Sequence, residues 1–253
     1  MNSKPLLSLV SSTRAARTAR TIAARRVAAA LVFGMSAALL ASAPVQAASI
    51  TSLVKSVKFD DDKGVASDLG TGLDPNAVDE QGNPLIVLAA REKSDKVAAL
   101  LLDNPKTKID AEDRAGENAL MLAALNGDLD LVKLLITKGA QVNKTGWAPL
   151  HYAAANGNDD IAKLLLGYSA QVDALSPNGT TPLMMAARGD HMSTVKLLLD
   201  SGANLNAKNQ IGMNALDFAK QYKAPDAIKG LSARMAQPDG QSGNAAAPQN
   251  GAK

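Results

Sequence analysis

The chain holds two histidines, His151 and His191, and no cysteine, so imidazole catalysis or metal ligation would have to be built around those two rings. The lack of cysteine excludes disulfides and thiolate-bound metal. A catalytic imidazole needs a positioned partner, and no serine nucleophile here has a matching base. "DDDK" at Asp60 to Lys63 is an acidic run on a short connection, which reads as a solvated surface, and no calcium-loop spacing follows it. "LGTGLDP" at Leu69 to Pro75 has the glycines of a phosphate loop without the following helix and lysine. Met184 and Met185 fall on a helix, where methionine packs. These residues predict no enzyme, no cofactor and no metal site.

The elements that would carry them are repeated. Gly82, Gly116, Gly146, Gly179 and Gly212 fall 34, 30, 33 and 33 residues apart. Seven and eight residues after them stand Ala89-Ala90, Ala123-Ala124, Ala153-Ala154, Ala186-Ala187 and Ala219-Lys220. Eighteen and nineteen residues after them stand Leu100-Leu101, Leu134-Leu135, Leu164-Leu165, Leu197-Leu198 and Gly230-Leu231. Each unit reads as a turn, a short helix, a second helix and a loop. Thr181-Pro182 starts a helix with a capping hydroxyl and a first-turn proline, and Asn118 and Asn214 supply caps without the proline. The small alanines allow close approach, Leu131, Leu134 and Leu135 form an apolar stripe, and Gly139 and Gly202 stop the second helix. One such pair cannot bury its own apolar face, whereas stacked pairs can, so the pattern predicts an all-α solenoid.

The 253 residues carry a net charge of +3 with 27 basic and 24 acidic side chains. Lys4, Arg14, Arg17, Arg20, Arg25 and Arg26 lie in the first 47 residues, which contain no acid. The rest is therefore slightly acidic and gives no electrostatic reason to expect nucleic acid. The leader has a basic stretch, the apolar run "VAAALVFGMSAALL", and "ASAPVQA" ending at Ala47. It reads as a signal peptide over residues 1–47, cut near Ala47, with an apolar run too short to span a bilayer comfortably. Its length and its Arg- and Ser-rich composition also fit an organellar transit peptide, with a mitochondrial matrix location as the alternative. The Arg25-Arg26 pair leaves Sec and twin-arginine export both open.

"GWAPLHYAAANG", "GTTPLMMAARGDHMSTVKLLLDSGANLN" and "GLDPNAVDEQGN" resemble the ankyrin repeat family, and the whole resembles small ankyrin proteins that bacteria export to the periplasm. The resemblance covers roughly residues 50–235. It implies an N-terminal capping half-repeat at 48–76 and five repeats at about 77–110, 111–143, 144–173, 174–206 and 207–235, followed by a tail at 236–253 with too few large apolar residues to fold. It also implies that His151 is bonded within its turn, although the usual threonine partner is Ala148 here, and that His191 joins helices. Several units depart from the pattern. The hairpin before Trp147 is three residues short, Ser169 stands at a capping-glycine position, and Pro225 with Gly230 predicts a short, frayed last helix.

The family's concave face is built from turn residues around each glycine and from the end of the first helix. Carried onto this chain, those positions include Asn83, Glu117, Trp147, Thr180 and Met213, and also Arg91, Leu125, Asn126, Arg188 and Tyr222. Trp147, the only tryptophan, then points outward. Trp147, Leu125, Asn126, Arg188, Met213, Ile211, Tyr222 and Arg91 form the candidate partner-binding set, with the aromatic and arginine content of an interface hot spot. A second reading has Trp147 tipped over a neighbouring repeat to fill the missing finger's space. The resulting expectation is an exported, monomeric, non-enzymatic solenoid that binds another protein. The alternatives are a small-molecule binder using the same groove and an organellar adaptor.

Overall fold

The computed structural model describes residues 50–236; the expected signal peptide, its cleavage site and nearly all of the expected tail lie outside them. The described residues form helices joined by turns: α1 (50–58), α2 (Asp62–Gly70), α3 (Leu85–Glu92), α4 (Asp95–Asp103), α5 (Ala119–Asn126), α6 (Leu129–Thr137), α7 (Pro149–Ala155), α8 (Asp159–Gly167), α9 (Pro182–Arg188), α10 (Met192–Asp200), α11 (Ala215–Gln221) and α12 (Pro225–Met235). From α3 onward, odd-numbered helices pack on odd-numbered ones, and from α2 onward even-numbered on even-numbered, giving two parallel rows. The first-helix row meets through Ala89, Ala90, Ala123, Ala124, Ala153, Ala154, Ala186 and Ala187, all buried. In the second row Leu101, Leu135, Leu165, Leu198 and Leu231 are each 0% exposed. This continuous apolar seam is how units too small for their own core become stable.

The caps follow the sequence. Asn118 Oδ1 accepts from the Met121 N–H at 3.0 Å, Thr181 Oγ1 from the Met184 N–H at 3.3 Å, and Asn214 pairs reciprocally with Asp217. "DDDK" has a structural use: Asp61 caps α2 through the Gly64 N–H, and Asp60 accepts the Val97 N–H of the next unit. Ser169 takes the left-handed conformation at φ 63°, as its place at a glycine position demanded.

Side-chain ladders tie each unit to the next. Asn76, Asp110, Asn143 and Asp173 each accept a loop N–H from the following unit. Ser94, Asn158 and His191, at equivalent positions, bond back to the carbonyls of Val57, Ala124 and Ala155. His191 therefore links successive units.

The last helix corrects an expectation. α12 is not short or frayed: it runs for 11 residues, longer than any other described helix. Pro225 sits in its first turn, where a missing N–H costs nothing. Gly230 is no lost core leucine. A side chain there would run into the Met192 methyl of the preceding unit, so the methionine fills the space that leucine takes elsewhere.

Candidate functional site

Four of the five hairpins are built alike. Asp79, Asp113, Ser176 and Asn209 turn a side-chain oxygen onto the backbone N–H four residues ahead, at Asn83, Glu117, Thr180 and Met213. Hairpins four and five are further joined by Gln210, which donates from its backbone to the Asn178 carbonyl and from its amide to that of Pro177. The third unit, three residues short, has no residue making that turn. Lys144 instead reaches to the second hairpin, donating to the Gly116 carbonyl at 2.7 Å and pairing with Glu112 at 3.1 Å.

Beside that gap lies a groove of about 320 Å³. Leu125 of α5, Trp147, Tyr152 and Ala155 of the third unit, and Met185 and Arg188 of α9 line it, with the His151 ring among them. Trp147 is half-buried, and its indole meets the His151 ring edge-on at 5.2 Å and Tyr152 at 6.4 Å. The two sequence readings of Trp147 thus meet in the middle. It packs on rings of its own unit and keeps one side on the groove.

The groove walls are held by bonds that leave little polar chemistry free. His151 is 0% exposed, with Nδ1 accepting from the Ala148 N–H at 3.1 Å and Nε2 facing the Thr180 carbonyl at 3.0 Å. A neutral ring protonated at Nε2 satisfies both, and burial pushes its pKa down. The His151 ring keeps its donor without the threonine, because the Ala148 backbone N–H supplies it; what α7 lacks is the hydroxyl cap that Thr181 gives the next unit. Tyr152 donates to Glu117 Oε1 at 2.9 Å; burial, then that bond and the Glu117 charge, push its ionisation up. Both His151 nitrogens and the Tyr152 hydroxyl are thus taken up by bonds within the fold. Among the described residues no group of His, Asp and Glu is arranged to hold a metal ion.

The candidate residues divide into two sets. Leu125, Trp147 and Arg188 meet at the groove. Next to it the Arg188 guanidinium lies 4.7 Å over the Tyr222 ring, which stacks on Phe218 at 6.3 Å. Tyr222 is 47% exposed and Ile211 76%, while Met213 is half-buried. Arg91 and Asn126 are instead occupied by the stack. Arg91 bonds Asn83 at 2.9 Å and Asp113 at 2.5 Å, with Glu117 at 3.6 Å, and Asn126 donates to the Ala90 carbonyl at 3.0 Å. Thr180 is 2% exposed and lies inside the molecule, not on the face. Sequence reasoning missed Tyr152, Met185 and Phe218. They share a position six residues after the repeat glycine, a column that periodicity alone assigns to the core.

A family model for ankyrin repeats matches three overlapping stretches, residues 54–145, 86–175 and 150–242. Among curated proteins, an ankyrin repeat-containing protein of Treponema pallidum (strain Nichols) is 34% identical over 158 residues, 62% of this chain and 43% of the relative. The mouse nuclear factor NF-kappa-B p105 subunit is 35% identical over 162 residues, 61% of this chain and 17% of its own. The neurogenic locus notch homolog protein 1 of Xenopus tropicalis is 31% identical over 140 residues, 54% of this chain and 6% of its own. The chain thus spans less than half the length of each of these relatives. With helix pairs in register and the family pattern over most of its length, the chain belongs to the ankyrin repeat family, whose repeats are generally protein-interaction modules.

Proposed function

We propose that this protein is an exported, non-enzymatic interaction module that holds a partner protein on its concave face, centred on the groove between Leu125, Trp147 and Arg188. The groove itself is the observation that carries this reading. It exposes aromatic, aliphatic and guanidinium surface together, the composition of interface hot spots, while the ionisable rings beside it are locked in bonds within the fold. Its 320 Å³ stands at the lower end of ligand pockets, about 300–1,000 Å³, and it is open on one side, which suits a side chain of a larger partner better than an enclosed small molecule. Export rests on the leader's basic, apolar and small-residue segments. No helix among the described residues is long and apolar enough to cross a membrane.

A photoreactive residue placed at Leu125, in the groove, and separately at Lys163, on the exposed side of α8, tests the face in living cells. A discrete adduct from the Leu125 position alone supports it. Adducts from Lys163 alone, or equally from both, overturn it. Sequencing the amino terminus of the mature chain tests export, with Ala48 as the expected first residue and a cut near Arg26 as the contrary result.

A further inference from the structure

The groove's polar groups are spent: Tyr152 on Glu117, and His151 on Ala148 and Thr180. A ligand there finds apolar walls and a single charged group, Arg188. The cations near the groove differ by side. Toward the N-terminal units Arg91 is paired with Asp113 and Glu117, and Lys144 with Glu112. Toward the C-terminal units Arg188, which lines the groove, has no carboxylate within ion-pair distance among the described residues. Arg188 is held over Tyr222, so its side chain has already lost much of the freedom that forming an ion pair would cost.

Resting on the concave-face reading above, we propose that the occupant is an acidic segment of a partner protein, which sets one large apolar side chain against Trp147, Leu125 and Met185 and lays a carboxylate on Arg188. Size and charge both favour this occupant. The groove accommodates a side chain or two, and among the residues that line it the one unspent polar group is a cation. A charge-assisted bond from a guanidinium to a carboxylate is stronger than a neutral one and fixes orientation, which bare apolar walls cannot do. The short third hairpin leaves the approach open.

Trp147, the only tryptophan, reports on the groove directly. Capped peptides free of Trp and Tyr, each with one Phe followed by a run of Glu, Gln or Lys, are titrated into the full chain while Trp147 emission is followed. The Glu peptide is expected to saturate the change at a concentration at least tenfold lower than the Gln peptide, and the Lys peptide to be weakest. Arg188→Gln, at an exposed site where folding is checked by circular dichroism, is expected to remove most of the Glu-over-Gln preference while keeping the response to Phe. A peptide with Phe at a free carboxyl terminus followed by no Glu separates a chain end from an internal acidic segment; if it binds as tightly as the Glu peptide, the proposal fails. Equal binding of Glu and Gln peptides also overturns it but leaves apolar docking on this face standing. If no peptide moves Trp147, the acidic-segment proposal falls, and the cross-linking at Leu125 and Lys163 decides the concave-face reading separately.

Discussion

The second and third units of the stack solve the same geometric problem differently. In the second, Asp113 holds the hairpin's N–H groups with one oxygen and Arg91 with the other, and its side chain is 4% exposed. In the third the corresponding hairpin is cut away, Lys144 braces sideways onto its neighbour, and an aromatic pair, Trp147 and Tyr152, faces the opening. The two regions are joined, because Glu117 receives both Arg91 and Tyr152. The contrast teaches that one part of the face spends its charges on rigidity, and the next keeps apolar surface free because that rigidity supports it.

The largest effect is expected from breaking the rigid part. Asp113→Ala removes the acceptor of the Ala115 and Glu117 N–H groups and the main partner of Arg91. Losing a buried, hydrogen-bonded carboxylate should cost about 3 kcal/mol, read as a lower denaturant midpoint. A loss under about 1 kcal/mol would mean that this network is an ordinary surface ion pair, and the contrast between the two units would collapse.

A smaller loss is expected at the open part. Trp147→Ala removes a half-buried indole, so it should cost about 1.5 kcal/mol, roughly half of what a fully buried aromatic costs, and should weaken peptide binding read by calorimetry. In the free protein Trp147 should show emission between that of exposed and buried indole, with partial quenching by iodide. Complete protection from iodide would mean that the groove is closed in solution.

The scaffold was legible from the sequence because it rests on repetition: glycines, alanine pairs and leucine pairs recur in fixed registers, and each register meets the same physical demand in every unit. The site rests on exceptions and was less legible. The missing hairpin residues and the outlying Trp147 were visible as departures, but the spending of Arg91 and Asn126 on neighbouring units was not, since bonds between residues 22 and 36 apart depend on how the units stack. Gly230 misled for the same reason. Its meaning lies in Met192 of the preceding unit.

Acid should separate two titrations with opposite signs. Partial burial, then a hydrogen bond and charge from Asp128, raise the Asp95 carboxyl from 3.8 to about 6. Its contribution is therefore present below about 3.8 and lost as pH rises through about 6. His151, lowered from 6.5 by burial, contributes fully above 6.5 and loses that contribution as pH falls below it. Asp95 is exposed, so solvent screening keeps its effect under about 1 kcal/mol. Asp95→Asn should raise the midpoint at pH 7, converge on the parent near pH 4, and leave the acid loss due to His151 steeper. An unchanged midpoint at pH 7 would mean that Asp95 and Asp128 do not feel each other.

The smallest change in stability is expected at the far edge of the open region. Tyr222 is 47% exposed, carries the Arg188 guanidinium on one side and stacks on Phe218. An exposed cation–π contact is worth about 0.5–1 kcal/mol, and removing it frees both side chains to regain solvent and rotamers. Tyr222→Ala should therefore move the unfolding midpoint by no more than about 0.5 kcal/mol. Its consequence lies in aim. Without the ring beneath it Arg188 samples more rotamers, so the preference of the groove for Glu over Gln peptides should shrink while the response of Trp147 to the Phe side chain persists. If instead the preference is kept and the midpoint falls by more than about 1.5 kcal/mol, Tyr222 is part of the packed end of the stack, and the division between a rigid and an open part of the face has to be drawn on the other side of α11.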